Sequence, residues 1–147
     1  YLILTRGLRR RLRQQRQAGV NIDILTNSLA STDVPLVYGA YRRHRPWLIR
    51  QGIALSELEG ESLSLHAKLI LVGEEEALLG SFNLDPRSLL LNTELVLHLA
   101  CPALCAELQQ WLATWQQRSS HSVAAPPSTL RRLLARVSDW LPLQRWL

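Results

Sequence analysis

Methionine is absent from this 147-residue chain, and lysine occurs once, at Lys68. A translation product needs a start codon, and the chain opens at Tyr1 inside an apolar run. It therefore reads as the C-terminal part of a longer protein. Cysteine is scarce: only Cys101 and Cys105 occur, with His98 nearby. Two thiols without a second ligand pair make a weak metal site, since a structural zinc takes four ligands. Two packed thiols in a reducing compartment is the better reading. No apolar run approaches the ~20 residues of a membrane span, and nothing resembles a signal peptide. Nearly half the residues are hydrophobic, enough for one domain with a real core.

What is abundant is arginine, and its distribution is uneven. Residues 1–50 hold ten Arg against two Asp, residues 51–100 two cations against eight carboxylates, and residues 101–147 five Arg against two acids. Basic flanks around an acidic middle suit an anionic partner, nucleic acid or an anionic membrane; they equally describe a solvated basic helix. Since every other cation is Arg, an ammonium at position 68 points to a compact point charge of the kind that serves a phosphate oxygen.

Periodicity predicts an α/β architecture. Tyr1–Thr5 reads as a buried strand, residues 7–18 as a helix stopped by Gly19, and Val20–Leu25 as a second strand. That strand ends in Thr26-Asn27-Ser28, a polar end where a site can form. Asp33 can cap a helix running to about Gln51, with Gly52 as its stop. Ile53–Leu58 is a short strand. Leu63–Val72 and Ala77–Phe82 form a hairpin around Gly73–Glu76, followed by a strand over Thr93–Ala100 and a helix over Pro102–Arg118. The expected fold is a mixed sheet flanked by helices over residues 1–118. Residues 119–128, with Pro126-Pro127, read as a linker. In the tail, residues 129–147, Leu130, Leu133, Leu134, Val137 and Leu141 share one helical face, with Arg131, Arg132 and Arg136 off it, and Trp140 and Trp146 flank Pro142. Such a helix either docks on the domain or lies in a bilayer surface.

The chemistry-bearing run is His66-x-Lys68, eleven residues, Gly80-Ser81-x-Asn83, then Asn92-x-Glu94. Phosphodiester exchange needs a neutral imidazole to attack phosphorus and an acceptor on its other nitrogen, and a carboxylate serves as that acceptor. It also needs donors aimed at the phosphoryl oxygens. Lys68, the Ser81 hydroxyl and the Asn83 amide are donors, and Glu94 is the candidate orienter of His66. On a strand, His66 and Lys68 share a face, and the hairpin returns Ser81 and Asn83 beside them. No metal ligand set appears, so the chemistry is read as metal-free, without a cofactor.

These residues resemble the signature of the phospholipase D superfamily: His-x-Lys, four residues, Asp, six residues, Gly-Ser-x-Asn. The spacing agrees throughout, but Gly73 stands where the signature carries Asp. That Asp belongs to the hairpin turn, so its loss bears on the hairpin more than on the chemistry, and Glu74, Glu75 or Glu76 can replace a lost ion pair. The phrases Leu25-Thr-Asn-Ser-Leu-Ala-Ser-Thr-Asp33, Gly80-Ser-Phe-Asn-Leu-Asp-Pro-Arg-Ser88 and Leu91-Asn-Thr-Glu94 are similar to bacterial cardiolipin synthases of the C type, as is the tail.

The resemblance implies a phospholipase D-like sandwich with one half of a paired site. It also implies phosphatidyl transfer through a phosphohistidine, with His66 as nucleophile or general acid. Lys68 and Asn83 would bind phosphate, Ser81 would assist and Glu94 would orient the histidine. Phosphatidylglycerol, or phosphatidylethanolamine, would be the donor and phosphatidylglycerol the acceptor, with peripheral attachment to a bacterial cytoplasmic membrane. A second histidine must protonate the leaving oxygen. The family takes it from another His-x-Lys half, upstream or in a homodimer, because His44, His98 and His121 lack that setting. Two other readings are a homodimeric single-motif nuclease or phosphodiesterase and a non-catalytic membrane-binding half. The lipid-directed tail argues against nucleic acid as partner.

Overall fold

A computed structural model describes residues 2–60, 64–120 and 129–137. Leu2, Ile3 and Leu4 are buried on alternating sides. Leu2 and Leu4 join Tyr41, Trp47, Leu48 and Ile53 in one core cluster, while Ile3 joins Val37 and Ala40 in another. This predicted first strand makes a single parallel bridge, Leu2 to Leu84. Helix α1 (Arg6–Gln17) begins where the Thr5 hydroxyl accepts from Leu8 N–H at 3.2 Å. Its arginines are partly structural. Arg9 and Arg13 lie over the Trp47 ring, 4.7 and 5.9 Å from its centroid, and Arg16 Nη1 donates to Val20 O at 2.6 Å.

Strand β1 (Asp23–Asn27) pairs in parallel with β2 (Ala54–Leu58). Between them the sequence predicts one helix, and the structure has two, α2 (Pro35–Arg42) and α3 (Arg45–Arg50). Pro46 explains the break: it has no N–H for the Arg42 carbonyl, and its ring would strike that carbonyl. The cap also differs from expectation. Val34, not Asp33, takes the N-cap position of α2 and makes no side-chain cap bond.

At the α2–α3 junction, His44 is buried. Burial, then the charges of Arg9 and Arg43, pushes its pKa from the ordinary 6.5 down to about 4. The unfolded chain therefore binds this proton more readily between those values. Stability is full above about pH 6.5, falls as pH drops through the window and levels off below about pH 4. The shift corresponds to roughly 3 kcal/mol at about 1.4 kcal/mol per unit. Urea unfolding at pH 7 and pH 4.5 is expected to show most of this loss, and His44→Leu is expected to flatten it.

Strands β3 (Leu69–Val72), β4 (Glu76–Gly80) and β5 (Val96–Ala100) form an antiparallel second sheet. Ala77 is fully buried there, and helix α5 (Pro102–Gln116) packs on β4. The hairpin closes without the signature's Asp. Gly73 takes φ 60°, a conformation that costs glycine little, and its carbonyl accepts from Gln109 Nε2 of α5 at 3.2 Å. Glu76, one of the three predicted stand-ins, pairs with His98 across the sheet at 2.7 Å. This occupies the imidazole that the sequence sets beside two cysteines, of which Cys101 is exposed and Cys105 buried.

The strand predicted over Leu63–Val72 is shorter, because residues 64–68 lie outside any ladder and Leu63 is outside the described residues. A further helix, α4 (Pro86–Leu90), carries a sequence signal in Asp85-Pro86: Asp85 Oδ1 accepts from Ser88 N–H at 2.8 Å and Pro86 sits in the first turn. Ser119–Ser120, expected to open the linker, instead form β6 against Glu57 and Leu58 of β2. The rest of the expected linker, residues 121–128 with His121, and residues 138–147 with Trp140, Leu141, Pro142 and Trp146, lie outside the described residues.

Helix α6 (Thr129–Val137) packs against α2. Among its described side chains Ala135 is buried, whereas Leu130 and Leu133 remain 65% and 59% exposed and Leu134 and Val137 are exposed beside them. The helix therefore docks through the side opposite its leucine stripe. Among the described residues no helix is long and apolar enough to cross a membrane.

Candidate active site

Of the predicted residues, His66, Lys68, Ser81 and Glu94 gather where the β1 end, the segment before β3 and the loops around β5 meet. Lys68 is held by its main chain, whose carbonyl accepts from Gly80 N–H at 3.2 Å, so the β3–β4 pairing continues one residue past the strand. Its Nζ donates to His66 O at 2.9 Å, folding the ammonium back toward the histidine. Partial burial pulls the Lys68 pKa below its usual value, and the negative charges of Asp33 and Glu94 oppose that shift. Lys68 thus stands in the field of two carboxylates from different parts of the chain.

Ser81 follows directly on β4. Its N–H donates to Leu95 O at 3.0 Å, and its hydroxyl donates to Glu94 Oε2 at 2.5 Å and accepts from Leu95 N–H at 3.1 Å. The other Glu94 oxygen accepts from Asn92 Nδ2 at 3.1 Å. Hydrogen bonds from Ser81 first, then Ser88 and Asn92, hold Glu94 below the usual carboxylate range, with Lys68's charge adding to the effect. Asn83 is fixed through its main chain, its N–H donating to Ser88 Oγ at 3.2 Å. The α4 cap therefore sets Asn83: Asp85 holds Ser88, and Ser88 holds Asn83.

Glycine at position 80 is a steric necessity. A Cβ there would stand 2.0 Å from Leu95 O and 2.9 Å from Val96 Cα. β5 approaches β4 that closely only because the side chain is missing, and the approach brings Glu94 to Ser81.

The carboxylate recorded against His66 is Asp33, whose Oδ2 lies 3.9 Å from Nδ1. From sequence, Asp33 reads only as a helix cap, and the expected partner, Glu94, is placed on Ser81 and Asn92. The only available signal was its place in the phrase Thr26-Asn27-Ser28…Asp33 at a polar strand end. Chemically, the cluster offers an imidazole whose Nδ1 faces the Asp33 carboxylate. The Lys68 ammonium and the Asn83 amide are donor types suited to an anionic oxygen, while the Ser81 hydroxyl proton goes to Glu94. Among the described residues, no group of three or more His, Cys, Asp and Glu side chains suits a metal.

Comparison with known proteins narrows the chemistry. Residues 1–115 match the family model described as cardiolipin synthase, PLD-like domain. The chain is 38% identical over 141 residues to cardiolipin synthase C of Escherichia coli (strain K12), covering 80% of this chain and 30% of that protein. It is 35% identical over 135 residues to an uncharacterised protein of Helicobacter pylori (strain ATCC 700392 / 26695), covering 84% of this chain and 27% of the relative. The chain thus spans less than a third of the curated relatives it matches. The solved phospholipase D family member Nuc of Salmonella typhimurium superposes with TM-score 0.66 at 18% identity, over 82% of this chain and 76% of Nuc. Phosphatidylserine synthase of Haemophilus influenzae Rd KW20 does so with TM-score 0.72 at 15% identity, over 99% of this chain and 39% of the synthase. At these identities both structures establish the fold alone.

Proposed function

The chain belongs to the family of PLD-like domains of cardiolipin synthases, and from that premise we propose that it supplies one half of the active site of a phosphatidyltransferase. The observation that carries this reading is the meeting of His66, Lys68, Ser81 and Glu94 with Asp33 in one cluster. In the proposed reaction His66 Nε2 attacks the phosphorus of a phospholipid. A P–N bond forms, the P–O bond to the head-group alcohol breaks, and a histidine of the second half protonates the leaving oxygen. The hydroxyl of an acceptor such as phosphatidylglycerol then attacks phosphorus, the P–N bond breaks, and the second histidine takes the hydroxyl proton. Lys68 and Asn83 donate to the phosphoryl oxygens as charge builds on them, and Ser81 assists by fixing Glu94 beside them. Glu94 counters the Lys68 charge, and Asp33, whose Oδ2 lies 3.9 Å from His66 Nδ1, orients the imidazole.

The outer face of the second sheet supports the half-site reading. In ladder register Lys68 continues the face of Ile70 and Val72, and these two and Val96 are exposed. Exposed apolar side chains flanking Lys68, on a face that also carries the Glu76–His98 pair, are suited to burial by the second His-x-Lys half.

The leucine stripe of α6 is proposed to lie in an anionic bilayer. Leu130, Leu133, Leu134 and Val137 face outward, and the exposed Arg132 and Arg136 stand beside them to meet lipid phosphates. Each Arg near an anionic leaflet adds about 1 kcal/mol. Burying two leucines contributes roughly 1.5–3 kcal/mol each at full depth. Replacing both Leu133 and Leu134 with Asp is therefore expected to lower partitioning onto phosphatidylglycerol vesicles by at least about 10²-fold in a sedimentation assay. Unchanged partitioning would show that protein, not lipid, covers the stripe.

The reading itself is tested on the full-length protein with phosphatidylglycerol vesicles, with and without phosphatidylethanolamine, by mass spectrometry. Cardiolipin is the expected product. Phosphatidic acid, or cut single-stranded DNA in a parallel tube, would replace the transferase with a hydrolase, and silence in every tube would mean a non-catalytic half.

A further inference from the structure

Among the described residues, Leu65 and His66 belong to no strand ladder, yet the Leu65 main chain is paired. Asn27 closes β1, opposite Leu58 of β2. Its side-chain amide reaches across 38 residues of sequence to Leu65: Oδ1 accepts from Leu65 N–H at 2.8 Å, and Nδ2 donates to Leu65 O at 2.9 Å. One residue of a neighbouring strand would make the same two bonds. A planar amide with one donor and one acceptor is the side chain that can imitate it. Leu65 precedes His66, so the clamp sets the direction in which the histidine leaves the backbone.

The clamp is anchored on its own side. Ser28 N–H donates to Ser31 Oγ at 2.9 Å, and Ser31 Oγ donates to Leu58 O at 2.9 Å. Ser28 Oγ accepts from Ala30 N–H at 3.1 Å. Ser28, Ser31 and Thr32 are buried, which makes the turn after β1 a fixed mount rather than a swinging loop. The same turn ends at Asp33, 3.9 Å from His66 Nδ1. One end of it therefore grips residue 65 and the other faces the ring of residue 66.

We propose that Asn27 is a positioning residue for His66, acting through its two hydrogen bonds to the Leu65 main chain. The proposal rests on the reading of His66 as nucleophile. Its consequence is selective. Lys68 is held from the other side, by Gly80, and Ser81 and Asn83 are held by Leu95 and Ser88. Loosening Leu65 should therefore disturb attack more than phosphate binding.

The test uses the full-length protein with bis(p-nitrophenyl) phosphate, which needs no lipid surface, and compares wild type, Asn27→Leu and Asn27→Asp. Leu keeps the branching at Cγ and loses both bonds; Asp keeps the acceptor for Leu65 N–H and loses the donor. The expected result is a fall in kcat of about 10²-fold for Asn27→Leu, the size of a misplacement near 1 Å, with KM within about twofold and Asn27→Asp between the two. Wild-type kcat in Asn27→Leu, or in Asn27→Asp should the Leu variant fail to fold, would overturn the proposal. A parallel measurement does not depend on turnover. With histidine labelled at Cε1, the His66 resonance, assigned by its disappearance in His66→Asn, should shift or broaden in both Asn27 variants. An unmoved resonance overturns the clamp. Absence of turnover in wild type with a moved resonance overturns the phosphodiester reading and leaves the clamp standing.

Discussion

His66→Asn in the full-length protein is expected to abolish cardiolipin formation, with turnover falling by at least about 10³-fold. The reasoning is chemical. An Asn amide has no nitrogen lone pair free to attack phosphorus, and no phosphohistidine can form, so neither half of the exchange proceeds. The fold should not notice the change. The His66 side chain is 69% exposed, and the segment is held by main-chain bonds to Asn27 rather than by the ring. Melting by circular dichroism should therefore match wild type while the lipid product is missing from the mass spectrum. Full product from this variant would remove His66 from the nucleophile's role and place the chemistry of transfer outside this half-site.

Gly80→Ala is expected to do the opposite, damaging the fold first and the activity through it. The new Cβ would sit 2.0 Å from the Leu95 carbonyl oxygen and 3.0 Å from its carbon. Both contacts are with backbone, which cannot rotate aside as a flexible side chain would. β5 must move away from β4, at a cost of about 3 kcal/mol. The same movement detaches Leu95 from Ser81, whose N–H and hydroxyl it holds at 3.0 and 3.1 Å, and draws Glu94 with it. Lower melting temperature and lost turnover should appear together. Gly19→Ala is the comparison: φ there is +86° and nothing lies within 4 Å, so that substitution carries only the strain of a left-handed backbone, about 1 kcal/mol. If Gly80→Ala melts like wild type, the close approach of β5 is not what shapes the site.

Much of this protein was legible in one dimension because its signals are local. The spacing from His66 to Asn83 encodes a hairpin whose register is set by the turn, and Gly80 N–H indeed meets Lys68 O. Helix α5 follows from Pro102 and its apolar periodicity. The split between α2 and α3 was also written in the chain, in Pro46, and so was α4, in Asp85-Pro86. Both follow from proline chemistry that an unbroken apolar pattern hides.

What the sequence determined by itself is the α/β class, the His-x-Lys and Gly-Ser-x-Asn run, and the amphipathic character of residues 129–137. Each of these rests on residues within one or two elements of one another. Only the tertiary structure decided that Asn27 stands in for a missing strand beside Leu65, that Asp33 faces His66, and that α6 turns its leucines away from α2. Those facts depend on closure between segments dozens of residues apart. An amide or carboxylate at the end of β1 has no partner until the two sheets are brought together, and a helix has no inward face until its docking side is chosen.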